Sequence, residues 1–153
     1  MGLYVTDPDG IQIQLWTQDS WSQLRNASPE ATHESQDAVF RPMGIDHILL
    51  RVSDMEKSAV FYQNLFGPVA QRGDNPARIW FKVGNGRFGL APVGAGAGVD
   101  HFCVTIPNLD GATVKKKLQD RGATIERGES DAAPVFRDPD GILVQVMRSR
   151  SSG

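Results

Sequence analysis

Two segments of this chain follow one plan, and no other feature limits its fold as tightly. Asp46-His47-Ile48-Leu49-Leu50-Arg51-Val52 reads as a strand and Ser53-Asp54-Met55-Glu56 as a helix start; Ala59, Val60, Phe61 and Leu65 then recur at helical spacing, and Gly67 is a stop. Asp100-His101-Phe102-Cys103-Val104-Thr105-Ile106 restarts the plan, with Leu109, Val114 and Leu118 on one helix face and Gly122 as the stop. Three further strand candidates trail each copy: Val69 to Gln71, Arg78 to Val83 and Phe88 to Ala91 in the first, Thr124 to Glu126, Pro134 to Arg137 and Leu143 to Met147 in the second. The stretch from Gly94 to Gly98 joins the copies. No helix start follows it, so it reads as a flexible connector and not as a phosphate loop.

The duplicated unit takes up residues 43–148 and leaves three other segments. Residues 1–16 read as a hairpin, with Leu3-Tyr4-Val5 as one arm, Asp7-Pro8-Asp9-Gly10 as the turn and Ile11-Gln12-Ile13-Gln14-Leu15 as an alternating second arm. Residues 17–42, rich in Ser, Gln, Asn, Asp and Glu, read as a linker with a short helix around Ser20 to Arg25, and residues 149–153 as a disordered tail. A chain of 153 residues makes one domain, or one with an appendage, because a single core commonly takes about 100 to 200 residues.

Charge and cysteine usage exclude several partner classes. A net charge of −2, with Lys115 to Lys117 as the one dense basic run, argues against nucleic acid, since phosphate binding needs clustered cations. No apolar run approaches bilayer-spanning length, and the N-terminus lacks a basic start followed by an apolar stretch, so neither membrane residence nor secretion is expected. A lone cysteine, Cys103, excludes an internal disulfide and leaves the cytoplasm as the default compartment.

Taken in order and spacing, these motifs resemble a known family. The Asp-His strand, the run Arg51-Val52-Ser53-Asp54-Met55-Glu56-Lys57-Ser58 leading to Phe61-Tyr62 and Leu65-Phe66-Gly67, and the late hairpin Phe136-Arg137-Asp138-Pro139-Asp140-Gly141 are similar to those of the vicinal oxygen chelate superfamily of glyoxalases, bleomycin- and fosfomycin-resistance proteins and extradiol dioxygenases. The resemblance covers about two-thirds of the chain. It implies an α+β fold in which two paired βαβββ modules curl a mixed sheet around a cleft, with metal ligands on inward-facing strand positions. One fold carries many chemistries, so it says less about the reaction.

The resemblance places ligands residue by residue. His47 and His101 fall where the family has imidazole ligands on the first strand of each module. The third position, four residues beyond Gly141, is commonly Glu in metal-binding relatives and is Gln145 in this chain. The fourth ligand of the glyoxalase branch finds no carboxylate between Arg87 and Ala91. A His/His/Gln set suits a divalent ion (Fe, Mn, Zn, Ni or Co), but an amide oxygen brings no charge, so the ion would be held less tightly and be more electrophilic. Such an ion chelates two adjacent substrate oxygens and stabilises enolate-like charge, or joins dioxygen and a diol.

A strand histidine is ordinarily a hydrogen-bonded, half-buried residue; the matched placement in both repeats is what singles out this pair. Leu49 and Arg51 share the His47 face, where Arg51 is expected to orient an anionic substrate or to close an ion pair at the sheet rim. Cys103 shares the His101 face and Met147 the Gln145 face, as pocket lining. Trp80 is a stacking candidate whose face alternation does not decide.

Two function classes stay open. One is a divalent-metal enzyme of lyase, isomerase or dioxygenase type, acting on a small molecule with vicinal oxygens. The other is a metal-free module that sequesters a planar or amphipathic compound. A catalytically silent half of a tandem protein is a third and weaker reading. Val5 to Leu15 also parallels Phe136 to Val146, Gln included, and so looks like the tail of a preceding domain of the same family. A lone hairpin is marginal in water and needs a surface to pack on; pairing with a sheet edge in a homodimer would supply one.

Overall fold

The computed structural model describes residues 2–19, 22, 37–94, 96–126 and 131–149. The helix expected around Ser20 to Arg25, most of the 17–42 linker and the 149–153 tail lie outside them, apart from Thr17 to Asp19, Ser22, residues 37–42 and Ser149. By contact the chain divides into two units, Met1–Ala38 and Val39–Gly153.

The first unit contains the expected hairpin, β1 (Leu3–Thr6) and β2 (Gln12–Leu15), paired antiparallel with Tyr4 opposite Gln14 and Val5 opposite Ile13. Its turn is built on Asp7, whose Oδ1 accepts from Asp9 N at 2.9 Å and Ile11 N at 2.8 Å, while Gly10 adopts φ 85°. That positive φ is why glycine stands there.

The second unit holds both repeats as the sequence predicts. The first copy is β3 (Gly44–Val52), α1 (Met55–Phe66), β4 (Val69–Asp74), β5 (Ala77–Val83) and β6 (Gly86–Pro92). The second is β7 (Gly98–Ile106), α2 (Gly111–Gln119), β8 (Thr124–Ile125), β9 (Val135–Arg137) and β10 (Leu143–Arg148). All eight strands make one mixed sheet in the order β4-β5-β6-β3-β7-β10-β9-β8. Within each copy the first strand runs parallel to the last, β3 with β6 and β7 with β10; the copies join through the antiparallel pair β3 and β7. The two Asp-His strands are therefore neighbours at the centre of the sheet.

Helix α1 starts at Asp54, whose carboxylate accepts from Glu56 N and Lys57 N, and ends at Gly67. It buries Ser58, Ala59 and Tyr62; Val60, grouped with the apolar face in the sequence pattern, is exposed because it falls on the opposite side. Tyr62 is fully buried and packs among Phe66, Phe81 and Phe88. Helix α2 starts two residues beyond Leu109, which the spacing puts on its face: Asp110 caps it, accepting from Thr113 N. Leu109 still packs on the cluster of Ile106, Val114, Leu118 and Val146, the contact of a hydrophobic staple. None of the helices among the described residues is long and apolar enough to cross a membrane.

Candidate metal centre

Register assembles the site. Across β3 and β7, His47 lies opposite Cys103 and Leu49 opposite His101. On the flanks, Arg87, Gly89 and Ala91 of β6 sit beside His47, Leu49 and Arg51, Trp80 of β5 faces Gly89, and Leu143, Gln145 and Met147 of β10 sit beside His101, Cys103 and Thr105. Side chains of paired residues share a face, so the sequence-derived set of His47, Leu49, Arg51, Trp80, His101, Cys103, Gln145 and Met147 lines one side of the sheet.

Each Asp-His strand departs from regular pairing at its aspartate. Ile45 pairs with Val104 and His47 with Cys103, which skips Asp46; Leu49 pairs with His101 and Leu50 with Val99, which skips Asp100. An extra residue at a β-bulge re-aims its side chain. Both carboxylates thereby reach the ring of the next residue: Asp46 Oδ1 lies 2.7 Å from His47 Nδ1, and Asp100 Oδ1 lies 2.7 Å from His101 Nδ1. Two arginines complete the line, Arg87 donating to Asp46 at 2.7 Å and Arg51 to Asp100 at 3.0 Å. Of the two roles expected for Arg51, the ion pair is the one formed.

The rings themselves converge. His47 Nε2 and His101 Nε2 are 2.9 Å apart, with the ring planes at 81°. Each Nδ1 faces a carboxylate oxygen, an acceptor when ionised, and each Nε2 is directed at the other ring. Two bare nitrogens at that distance repel unless a proton or a metal ion lies between them. Imidazole nitrogens bound to one ion by bonds of about 2.0–2.1 Å at right angles stand roughly 3 Å apart, so the donor pair fits a metal. Carboxylate partners on the far nitrogens are the usual support of metal-binding histidines.

Electrostatics agree. Burial pushes the His47 pKa below its ordinary value, only partly opposed by the Asp46 hydrogen bond, so the ring favours its neutral, ligating form. The His101 hydrogen bond and Arg51 hold Asp100 below the usual carboxylate range. Burial works to raise Asp46, but hydrogen bonds from Arg87 and His47 outweigh it and leave it lowered. Cys103 is pushed up to about 12 by burial, with the Asp46 charge adding, and is a thiol.

Ligand atoms of Asp46, His47 and Cys103 also lie within 4.8 Å of one another. A cation there would share Asp46 with Arg87 and His47 and would have to deprotonate Cys103, whose pKa burial pushes up. The Nε2 pair does not require a thiolate.

Trp80 is settled by its partner strand: it stands edge-on to His47 at 5.3 Å, with the Arg87 guanidinium 4.9 Å from its ring centroid. Gly89 makes this fit, since a Cβ there would lie 2.5 Å from the indole and 2.7 Å from Leu49. Asp46, Asp100 and Arg87 were missed by sequence reasoning. The repeated Asp before each His was a visible signal, but strict alternation assigns it to the opposite face. Among the cavities lined by described residues, one of about 240 Å³ is bordered by Asp46 and Arg87, and one of about 540 Å³ by Arg121 to Thr124 and Phe136 to Pro139.

This architecture of paired modules with a His pair on the shared central strands defines the vicinal oxygen chelate class. The family model of the Glyoxalase/Bleomycin resistance protein/Dioxygenase superfamily matches residues 44–146, and the chain belongs to that superfamily. Mitochondrial methylmalonyl-CoA epimerase of Homo sapiens is 24% identical over 128 residues, covering 67% of this chain and 72% of that one. The Bos taurus protein of the same name is 22% identical over 149 residues, covering 82% and 85%. Among solved structures, the Mn(II)-bound glyoxalase from Novosphingobium aromaticivorans shares the fold with a TM-score of 0.69 at 17% identity, covering 95% of this chain and 48% of that one. The E323L mutant of homoprotocatechuate 2,3-dioxygenase from Brevibacterium fuscum gives 0.59 at 19% identity, covering 74% and 35%.

Proposed function

We propose that residues 43–148 form a divalent-metal-dependent enzyme domain of lyase or isomerase type, acting on a small molecule with vicinal oxygens. The carrying observation is the 2.9 Å approach of His47 Nε2 to His101 Nε2, with both Nδ1 atoms engaged by carboxylates. The manganese named for the glyoxalase neighbour and the isomerase class named for the epimerase relatives support the reading.

His47 and His101 would hold the ion, with Gln145 completing or bordering its shell. A bound divalent ion supplies Lewis-acid stabilisation of negative charge on adjacent substrate oxygens. Leu49, Cys103 and Met147 would exclude water around the reacting atoms, and Trp80 packs perpendicular to His47 with Arg87 over its ring. Arg51, about one-third exposed, would orient an anionic substrate only by giving up part of its ion pair with Asp100. Arg87 keeps a buried Nε without a hydrogen-bond partner among the described residues. Asp46 and Asp100 are committed to arginine and imidazole, which makes them poor general bases. Dioxygenase chemistry ranks lower, because the two-histidine facial site of non-haem iron enzymes uses a carboxylate where this chain has Gln145.

A second reading, metal-free sequestration of a small compound, draws on the uncharged Gln145 and the apolar lining. Elemental analysis of protein purified without chelator separates the two. Stoichiometric Fe, Mn, Zn, Ni or Co that is lost in the His47→Ala, His101→Ala double variant supports the enzyme; a metal-free protein that still gains thermal stability with small ligands supports sequestration.

For residues 1–16 we infer the closing hairpin of another module of the same fold. Asp138 repeats the Asp7 turn: its Oδ1 accepts from Asp140 N at 3.0 Å and Ile142 N at 2.8 Å, and Gly141 matches Gly10 with φ 85°. Gln145 lies opposite Val135 as Gln14 lies opposite Tyr4. Both first strands of this chain already have partners on each side, so the hairpin's counterpart belongs to a further module or a second copy. A monomeric mass by light scattering together with rapid hydrogen exchange across residues 3–15 would refute any packing partner within the purified protein.

A further inference from the structure

Six side chains form one unbroken line through the centre: Arg87, Asp46, His47, His101, Asp100 and Arg51. We propose that Asp46 and Asp100 are positioning residues that lock both imidazoles as Nδ1–H tautomers, and that Arg87 and Arg51 clamp those carboxylates in place.

The geometry carries the inference. A residue next to a strand histidine belongs on the opposite face, yet both aspartates reach Nδ1 of their neighbour at 2.7 Å. They do so because each strand is bulged at the aspartate, on β3 against β7 and on β7 against β3. The same irregularity, one residue ahead of each histidine, aims both carboxylates alike. An ionised carboxylate cannot donate, so the nitrogen it faces must be the protonated one.

The clamps differ in origin. Arg87 comes from the last strand of the first module and holds that module's Asp46, with its guanidinium also on Trp80. Arg51 reaches from the first module to Asp100 of the second, and its Nε donates to Gly96 O at 3.3 Å in the connector. Pairing of the modules thus orients His101, and the second imidazole is set only when the first module is folded beside it. The direction of both Nε2 atoms follows from these bonds, whichever ion is later bound between them. What that convergence serves rests on the metal reading above.

The test is a two-bond ¹H–¹⁵N correlation spectrum of metal-free protein at about pH 8, where imidazoles are neutral, with His33 signals removed by a His33→Gln variant. Both remaining rings should show Nδ1 protonated and Nε2 bare; an Nε2–H tautomer in either overturns the proposal. Asp46→Asn and Asp100→Asn, checked for fold by circular dichroism, should mix the tautomers and weaken zinc binding by roughly 10- to 100-fold in calorimetric titration. Folded variants with unchanged tautomers and zinc affinity also overturn it. If the parent protein takes no zinc while both rings show Nδ1–H, the lock stands and the metal reading falls.

Discussion

His47 and His101 turn their Nε2 atoms to each other at 2.9 Å although they come from different modules of the chain. The contact exists because β3 and β7 pair antiparallel with Leu49 opposite His101, which puts the two rings one diagonal step apart on the same face. Each module contributes one of the two imidazoles.

Gln145 is the weak point of the ligand set, and changing it is informative. Gln145→Glu adds a negative charge on the strand beside Cys103, within the lined face. Even in a largely solvated site a unit charge near a divalent ion is worth on the order of 1–4 kcal/mol. The expected outcome is at least about tenfold tighter binding of Zn or Mn by calorimetric titration. Unchanged affinity would place position 145 outside the metal's shell.

Stability should fall on acidification in two stages. His47 has a folded pKa below its ordinary 6.5 because of burial, so the unfolded chain takes up this proton first; its contribution is present above about 6.5 and is lost as pH falls through the depressed value. Asp46 and Asp100 are likewise depressed below 3.8, so their contribution is present above that pH and is lost as pH drops through their folded values. Urea midpoints across pH should show both declines, and His47→Gln should abolish the upper one. A midpoint that rises between neutral pH and pH 5 would contradict the sign.

Gly89 is predicted to tolerate nothing larger. Gly89→Ala puts a methyl 2.5 Å from the Trp80 ring, and relieving that clash should cost about 1–3 kcal/mol in urea unfolding and shift the indole fluorescence. Gly94→Ala meets nothing within 4 Å and serves as the control, with an effect within about 0.5 kcal/mol.

Tyr62 is the anchor of α1 on the sheet. Fully buried and ringed by Phe66, Phe81 and Phe88, it leaves a cavity when truncated, so Tyr62→Ala should destabilise the domain by about 3–5 kcal/mol in equilibrium denaturation. Val60→Ala, at an exposed position of the same helix, should change stability little.

The amino-acid sequence by itself determined the duplicated βαβββ plan, the order of its elements, the candidate histidine pair and the uncharged Gln145. These are local properties: apolar period, cap and turn residues, and spacing from a turn glycine are all written within one element. Only the tertiary structure decided which face Trp80 takes, that Val60 turns to solvent, and that Asp46 and Asp100 join the histidines on their own side. Alternation along an isolated strand puts each aspartate opposite its histidine. The bulge that reverses this is defined by pairing with another strand, and the arginines that hold the carboxylates lie 41 and 49 residues away in sequence. Register between distant strands is a property of the assembled sheet, and the chemistry of this centre depends on it.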